Sequence, residues 1–147
     1  MMDIKGIKFV LQGKAFGKER PIFVKVGRFT KAITPEKTRA YENYVKAEYA
    51  RQCRGCFFPE DRALAIDFLV HVKPPKSTSK RKTADMLLGL YYPAHKPDCD
   101  NILKVICDGL NQYAYHDDHQ IVRMSISKIY SEQEIIEVTI QDLGMAG

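Results

Sequence analysis

From Ala63 to Lys73 the chain alternates strictly, with Leu64, Ile66, Phe68, Val70 and Val72 on one side and Asp67 and His71 on the other. A side-chain period of two marks a strand with one face against a core, and this run predicts a central strand. Ile7 to Gln12 reads as a further strand, and Arg20 to Ile33 alternates as a hairpin turning at Gly27. Thr34-Pro35 predicts an N-cap followed by proline at the first helical position, opening a helix to about Gln52. Tyr41, Val45 and Tyr49 share one face of it and read as core. Pro74 to Lys82 combines turn formers with four positive charges and reads as a loop. Leu103, Ile106, Cys107 and Leu110 mark the apolar stripe of a second helix, roughly Asp100 to Asn111. Ile121 to Tyr130 and Glu134 to Ile140 read as two antiparallel strands joined at Ser131-Glu132-Gln133. The expectation is one α+β domain over residues 1–147, a small mixed or antiparallel sheet with two main α-helices packed on it.

A chain of 147 residues that is 45% apolar can bury a core of its own. No stretch approaches the ~18 to 20 apolar residues of a membrane span. The first ten residues lack the apolar region of a signal peptide, so a cytoplasmic protein is expected. Cys53 and Cys56 form a CxxC, but Cys99 and Cys107 do not supply the second pair of a zinc site. The CxxC also follows a helical pattern, where a redox pair would open a helix after a strand. All four read as reduced, structural thiols. The lone His71 reads as a partly exposed strand residue.

Charge is divided unevenly. Residues 1–97 carry 20 Lys and Arg against 9 Asp and Glu, whereas residues 98–147 carry 3 against 9, within a net charge of +5. A basic surface attracts a polyanion by Coulomb steering and counterion release. The acids of the second part fall in two knots, Asp98-Cys99-Asp100 and Asp117-Asp118. Such knots repel phosphate unless a hard cation with oxygen ligands bridges the two.

Asp98 and Asp100 flank a single residue, so on an extended approach to the helix both side chains point the same way and can share a cation. Asp100 or Asn101 could instead serve as a helix cap, which leaves Asp98 and the later pair unexplained. Lys104 lies one turn beyond Asp100. An ion pair there is worth only ~0.3 to 0.5 kcal/mol, whereas beside a metal its ammonium could offset charge developing on a phosphate. Asp108, about 12 Å further along the axis at ~1.5 Å per residue, is too far from Asp100 to share its metal and reads as structural. If the return from Asn111 to His116 lies over the helix N-terminus, one acid of Asp117-Asp118 completes a three-carboxylate set; spacing does not say which. His116 and His119 read as solvated loop residues. An EF-hand would need an oxygen ligand, a glycine and a glutamate where the chain has Ile102, Leu103 and Gly109. No glycine loop of the GxxxxGK type is present.

The run Lys96-Pro97-Asp98-x-Asp100-Asn101-x-x-Lys104-x-x-x-Asp108-Gly109-Leu110-Asn111, followed by Asp117-Asp118-x-Gln120-Ile121, resembles the RusA family of Holliday junction resolvases, common in prophages. Thr34-Pro35-x-x-Thr38-Arg39-Ala40-Tyr41 is similar to the start of that family's first helix. The resemblance implies a homodimeric, Mg2+-dependent endonuclease that cuts opposed strands of a four-way DNA junction in recombination and repair, with Mn2+ as an alternative ion. Carried over by position, it implies Asp98, Asp100 and Asp118 as catalytic metal ligands and Lys104 as the catalytic lysine. Gln112 departs from the pattern, standing where the family often has glycine. The expected phosphate contacts are Lys76, Lys80, Arg81 and Lys82, with Lys14, Lys18 and Arg20. The rival readings are a nuclease on another branched DNA or on RNA, and a basic DNA-binding protein without catalysis.

Overall fold

A computed structural model describes residues 5–147; Met1 to Ile4, part of the stretch read for a signal peptide, lie outside the described residues. In chain order the elements are β1 (Gly6–Gln12), β2 (Ile22–Val26), β3 (Phe29–Ile33), α1 (Glu36–Cys53), β4 (Arg62–Val72), α2 (Lys80–Leu87), α3 (Cys99–Leu110), a one-turn 3-10 helix (Asp118–Gln120), β5 (Ile121–Tyr130) and β6 (Ile135–Met145). Four strands form one mixed sheet in the order β1-β6-β4-β5, and β2 and β3 pair separately as an antiparallel ribbon. The α+β expectation holds, with a third, short helix added.

The alternation of β4 does what its period requires. Leu64, Ile66, Phe68 and Val70 are buried, and β4 lies between β5 and β6. Phe9 and Leu11 of β1 and Ile136, Val138 and Ile140 of β6 join them on the same core. Against it pack Val45 and Tyr49 of α1 and Ile102, Val105, Ile106 and Leu110 of α3. The buried side of α3 is therefore wider than the expected stripe, and it leaves Leu103 only half-buried. Tyr41 is half-buried too, stacked on Phe16 with centroids 5.1 Å apart.

The two helices cross very closely. A Cβ added at Gly109 of α3 would lie 3.0 Å from Val45 Cβ and 3.1 Å from the Glu42 carbonyl oxygen of α1. Helix α1 also shields the outer edge of the sheet: Gln52 accepts from the Val10 amide and donates to its carbonyl at 2.8 and 2.7 Å, and the Tyr44 hydroxyl accepts from the Gln12 amide at 2.8 Å. An edge strand covered in this way is a poor template for pairing with another chain.

Three local readings need correction. Pro35, not Thr34, is the N-cap of α1, and no side chain caps that end. The basic run is only partly a loop: Ser79 Oγ accepts from the Lys82 amide and starts α2 at Lys80. The last two strands run antiparallel but do not pair, because β4 lies between them, parallel to β5 and antiparallel to β6. The cysteines are free, and burial raises the pKa of Cys53, Cys56 and Cys107, the last to about 12, so they stay protonated.

Candidate active site

The acids at 98 and 100 stand at the N-terminus of α3, in the crossover that joins the parallel strands β4 and β5. Asp98 is the N-cap, yet its carboxylate bonds none of the helix amides it could reach. An aspartate at this position ordinarily caps, so here the side chain is left exposed with its oxygens available. Asp100 sits in the first turn, also exposed, with the Lys104 ammonium 3.6 Å away. The amides of this helix end carry partial positive charge, which favours an anion, including a phosphate, in front of it.

The approach to α3 is held from behind. Lys128 of β5 sends its ammonium to the carbonyls of His95 and Pro97, at 2.6 and 3.1 Å. This residue escaped the sequence reading because a lysine on a strand carries no signal of a long-range partner.

Asp117 and Asp118 have different surroundings. Asp117 is the N-cap of the 3-10 helix: its carboxylate accepts from the Asp118 amide at 2.9 Å, and the Gln120 side chain accepts from the Asp117 amide at 3.0 Å. Gln120 is buried and also donates to the carbonyls of Pro59 and Arg62. It clamps the return in place, and Asp117 has a structural occupation. Asp118 faces outward into a cavity of about 240 Å3 shared with Lys104, Cys107, Asp108 and Arg123. Partial burial, then the charges of Asp117 and Asp108, raise its pKa. Carboxylates accumulated in this way gain from a cation placed among them.

The return from α3 packs against the C-terminal half of the helix, not over its start. Tyr115 is fully buried and its hydroxyl donates to the Cys107 carbonyl at 2.8 Å, which sets Asp118 at the level of Cys107 and Asp108. The structure thus brings Asp98, Asp100 and Lys104 together at one end and Asp118 beside Lys104 and Asp108 further along. Among the described residues no three His, Cys, Asp or Glu side chains form a metal-ligand group. The available donors are nonetheless all carboxylate oxygens, the set a hard divalent cation takes, and the thiol of Cys107 is held protonated.

Cations surround this acidic line. Lys14 and Lys76 line a cavity of about 670 Å3 together with Lys73, Lys96 and Lys128. Lys80, Arg81 and Lys82 occupy the first turn of α2, exposed, and Lys82 lies 5.3 Å from the centroid of the Tyr91 ring. Cations at a helix N-terminus oppose its dipole, so their placement does not serve helix stability. Lys18 is bound to Asp108 and is already neutralised. Arg20 is exposed at the base of the β2–β3 ribbon. His116 and His119 are exposed, with Glu60 at 3.4 Å and Asp117 at 3.2 Å respectively.

Comparison with known proteins gives two findings. The family model described as "Endodeoxyribonuclease RusA" matches residues 12–141. The chain is also 35% identical over 143 residues to "Uncharacterized protein YqaN" of Bacillus subtilis (strain 168), covering 93% of this chain and 96% of that protein.

Proposed function

We propose, from the premise that this chain belongs to the RusA endodeoxyribonuclease family and is a nuclease of the Holliday junction resolvase class, that it resolves four-way junctions in DNA recombination and repair as a homodimer using Mg2+. Nucleases of this family are generally dependent on a divalent metal, and Asp98, Asp100 and Asp118 are the proposed ligands. When bound, the cation would supply a water activated for attack on a phosphodiester and neutralise the phosphate oxygens. Mn2+, with similar oxygen preference, is the alternative ion.

The observation that carries the site is the unused cap. Asp98 stands where an aspartate would bond the helix amides and does not, so helix stability does not explain it. Lys104 lies between the two acidic positions, paired to Asp100 at 3.6 Å and lining the cavity of Asp118. A scissile phosphate laid over Lys104 would meet its ammonium, which offsets the negative charge growing on the phosphoryl oxygens. The α3 amides favour the same anion. Lys128 holds the backbone that carries Asp98, whereas Lys14, Lys73, Lys76 and Lys96 of the 670 Å3 cavity and the cations of α2 hold flanking phosphates without reading sequence.

Asp98→Asn tests this reading. With a labelled four-way junction in Mg2+, cleavage should fall about 100-fold or more, since even groups that merely support a metal ligand cost 10- to 100-fold, while junction binding in EDTA is retained. Cleavage at the wild-type rate in that variant overturns the assignment of Asp98. Duplex, single-stranded DNA and RNA arms in the same assay define the substrate.

A further inference from the structure

The β2–β3 ribbon is not used by the site described above. Residues 20–32 are all exposed, and among the described residues no other helix or strand packs substantially against the ribbon. Phe23 and Phe29 are 70% and 78% exposed, with Ile22, Val24 and Val26 beside them. An isolated two-stranded hairpin is marginal in water, so this apolar surface does not serve the ribbon alone. The same stretch carries Arg20, Lys25, Arg28 and Lys31 and no acid, and among the described residues none of the four is in an ion pair.

The register distributes these groups over both faces. Val26 lies opposite Phe29 and Val24 opposite Lys31 on one face; Phe23 lies opposite Ala32 and Lys25 opposite Thr30 on the other. Arg28 occupies the turn beside Gly27, whose φ of 63° is the left-handed region that a tight turn requires. Each face therefore presents an aromatic ring and a cation, and the tip adds a further cation in Arg28. A second copy of the ribbon would set like charges against each other. A nucleic acid supplies phosphates for the cations and base faces for the rings.

The base of the ribbon decides where such a ligand would go. A Cβ at Gly17 would lie 2.8 Å from Pro97 Cβ, so the backbone there touches the residue before Asp98. The Lys18 amide donates to the Asn101 carbonyl at 3.1 Å and its ammonium binds Asp108. The Glu19 amide donates to Thr38 Oγ1 of α1 at 3.3 Å. The arm is thus fastened to the start of α3 at Pro97 and Asn101, on either side of the acids at 98 and 100. Its five-residue strands extend ~17 Å at ~3.3 Å per residue, about five base pairs at ~3.4 Å each.

We propose that residues 20–33 form a DNA-binding arm that grips the branched substrate beside the Asp98/Asp100 site, with Arg20, Lys25, Arg28 and Lys31 on phosphates and Phe29 stacked on a base exposed at the branch point. This rests on the nuclease reading. A junction differs from a duplex in offering unstacked base faces, so the ring at the tip supplies preference for the branch and the cations supply grip on any arm.

The test uses the full chain in EDTA, with fluorescence anisotropy on a four-way junction and a duplex of the same arms, and a second junction carrying 2-aminopurine at the branch. Phe29→Ser should weaken junction binding about ten- to hundredfold, the range of one lost base stack, leave duplex binding within twofold and abolish the 2-aminopurine response. Replacing Lys25, Arg28 and Lys31 together by Gln should weaken both substrates and lower the slope of log affinity against log salt by about 3. Melting temperature and sedimentation should stay unchanged, because these side chains contact no core. Wild-type junction affinity and 2-aminopurine response in Phe29→Ser would overturn the arm while leaving the nuclease reading intact. Loss of the dimer in either variant would make the ribbon an interface between copies, and binding to anionic vesicles in place of DNA would make it a membrane contact; each overturns the proposal. If the wild-type protein binds no DNA, the nuclease reading falls and the arm with it.

Discussion

Gly109→Ala sets two opposite effects against each other at one atom. By helix propensity alone the change stabilises by about 1 kcal/mol, since glycine is the worst ordinary residue in a helix interior. The helix crossing opposes it. The new methyl would stand 3.0 Å from Val45 Cβ and 3.1 Å from both Val45 Cγ1 and the Glu42 carbonyl oxygen, when carbon atoms settle at ~3.5 to 4.0 Å. None of the three can easily give way: the oxygen is backbone, and a valine in a helix has essentially one rotamer. Overpacking of this kind costs about 1 to 3 kcal/mol, so against the gain of about 1 kcal/mol the expected net is a loss of about 1 kcal/mol, and at most about 2. At roughly 2 to 4 °C per kcal/mol for a chain near this size, the melting temperature should fall by about 2 to 4 °C, with a matching drop in the urea midpoint. The Gly109→Ala, Val45→Ala cycle should recover part of the loss, a coupling of about 0.5 to 1 kcal/mol. A melting temperature that rises in Gly109→Ala would refute the reasoning, because propensity would then have won and the crossing would have room to spare.

Three other outcomes are expected. Gln112 is held at φ 66°, the region that favours glycine, so Gln112→Gly should stabilise by about 0.5 to 1 kcal/mol in urea melts; destabilisation would show that the side chain contributes more than the backbone strain costs. Asp118 has its folded pKa raised above its usual value, so its ionisation opposes folding at neutral pH: Asp118→Asn should raise the melting temperature in EDTA by a degree or two, a gain that fades as pH falls through the raised folded pKa and is gone below about 3.9, where the carboxyl is protonated folded or unfolded. Lys128→Met removes the ammonium that holds the His95 and Pro97 carbonyls; junction kcat should fall about tenfold or more through misplacement of Asp98, with the salt dependence of binding unchanged and partial rescue by Lys128→Arg.

What could be read from the residues was whatever has a short period or a fixed local spacing. Strand β4, the ribbon, α1 and α3 follow from alternation or from a 3.6-residue stripe, and Asp98 and Asp100 follow from being two apart at a helix start. Helix α2 did not, because Lys80-Arg81-Lys82 looks like a charged loop until the Ser79 hydroxyl is seen on the Lys82 amide. The pairing of β4 between β5 and β6 did not, because strand neighbours are chosen by long-range packing and a hairpin is only the default for consecutive strands. The level of Asp118 along α3 did not either. It depends on the Tyr115 ring buried in the core and on the Gln120 clamp, two contacts that residue spacing cannot state.

The place of β6 makes it the keystone of the sheet. It is the strand that joins β1 to β4, and its Ile136, Val138 and Ile140 are fully buried between strands that are not neighbours without it. Without residues 135–145 the sheet has a gap between β1 and the parallel β4–β5 pair. The acids at 98, 100 and 118 all stand on a scaffold that this strand completes. Removing residues 135–145 therefore takes out an interior strand of the sheet, and with it the link between its two halves.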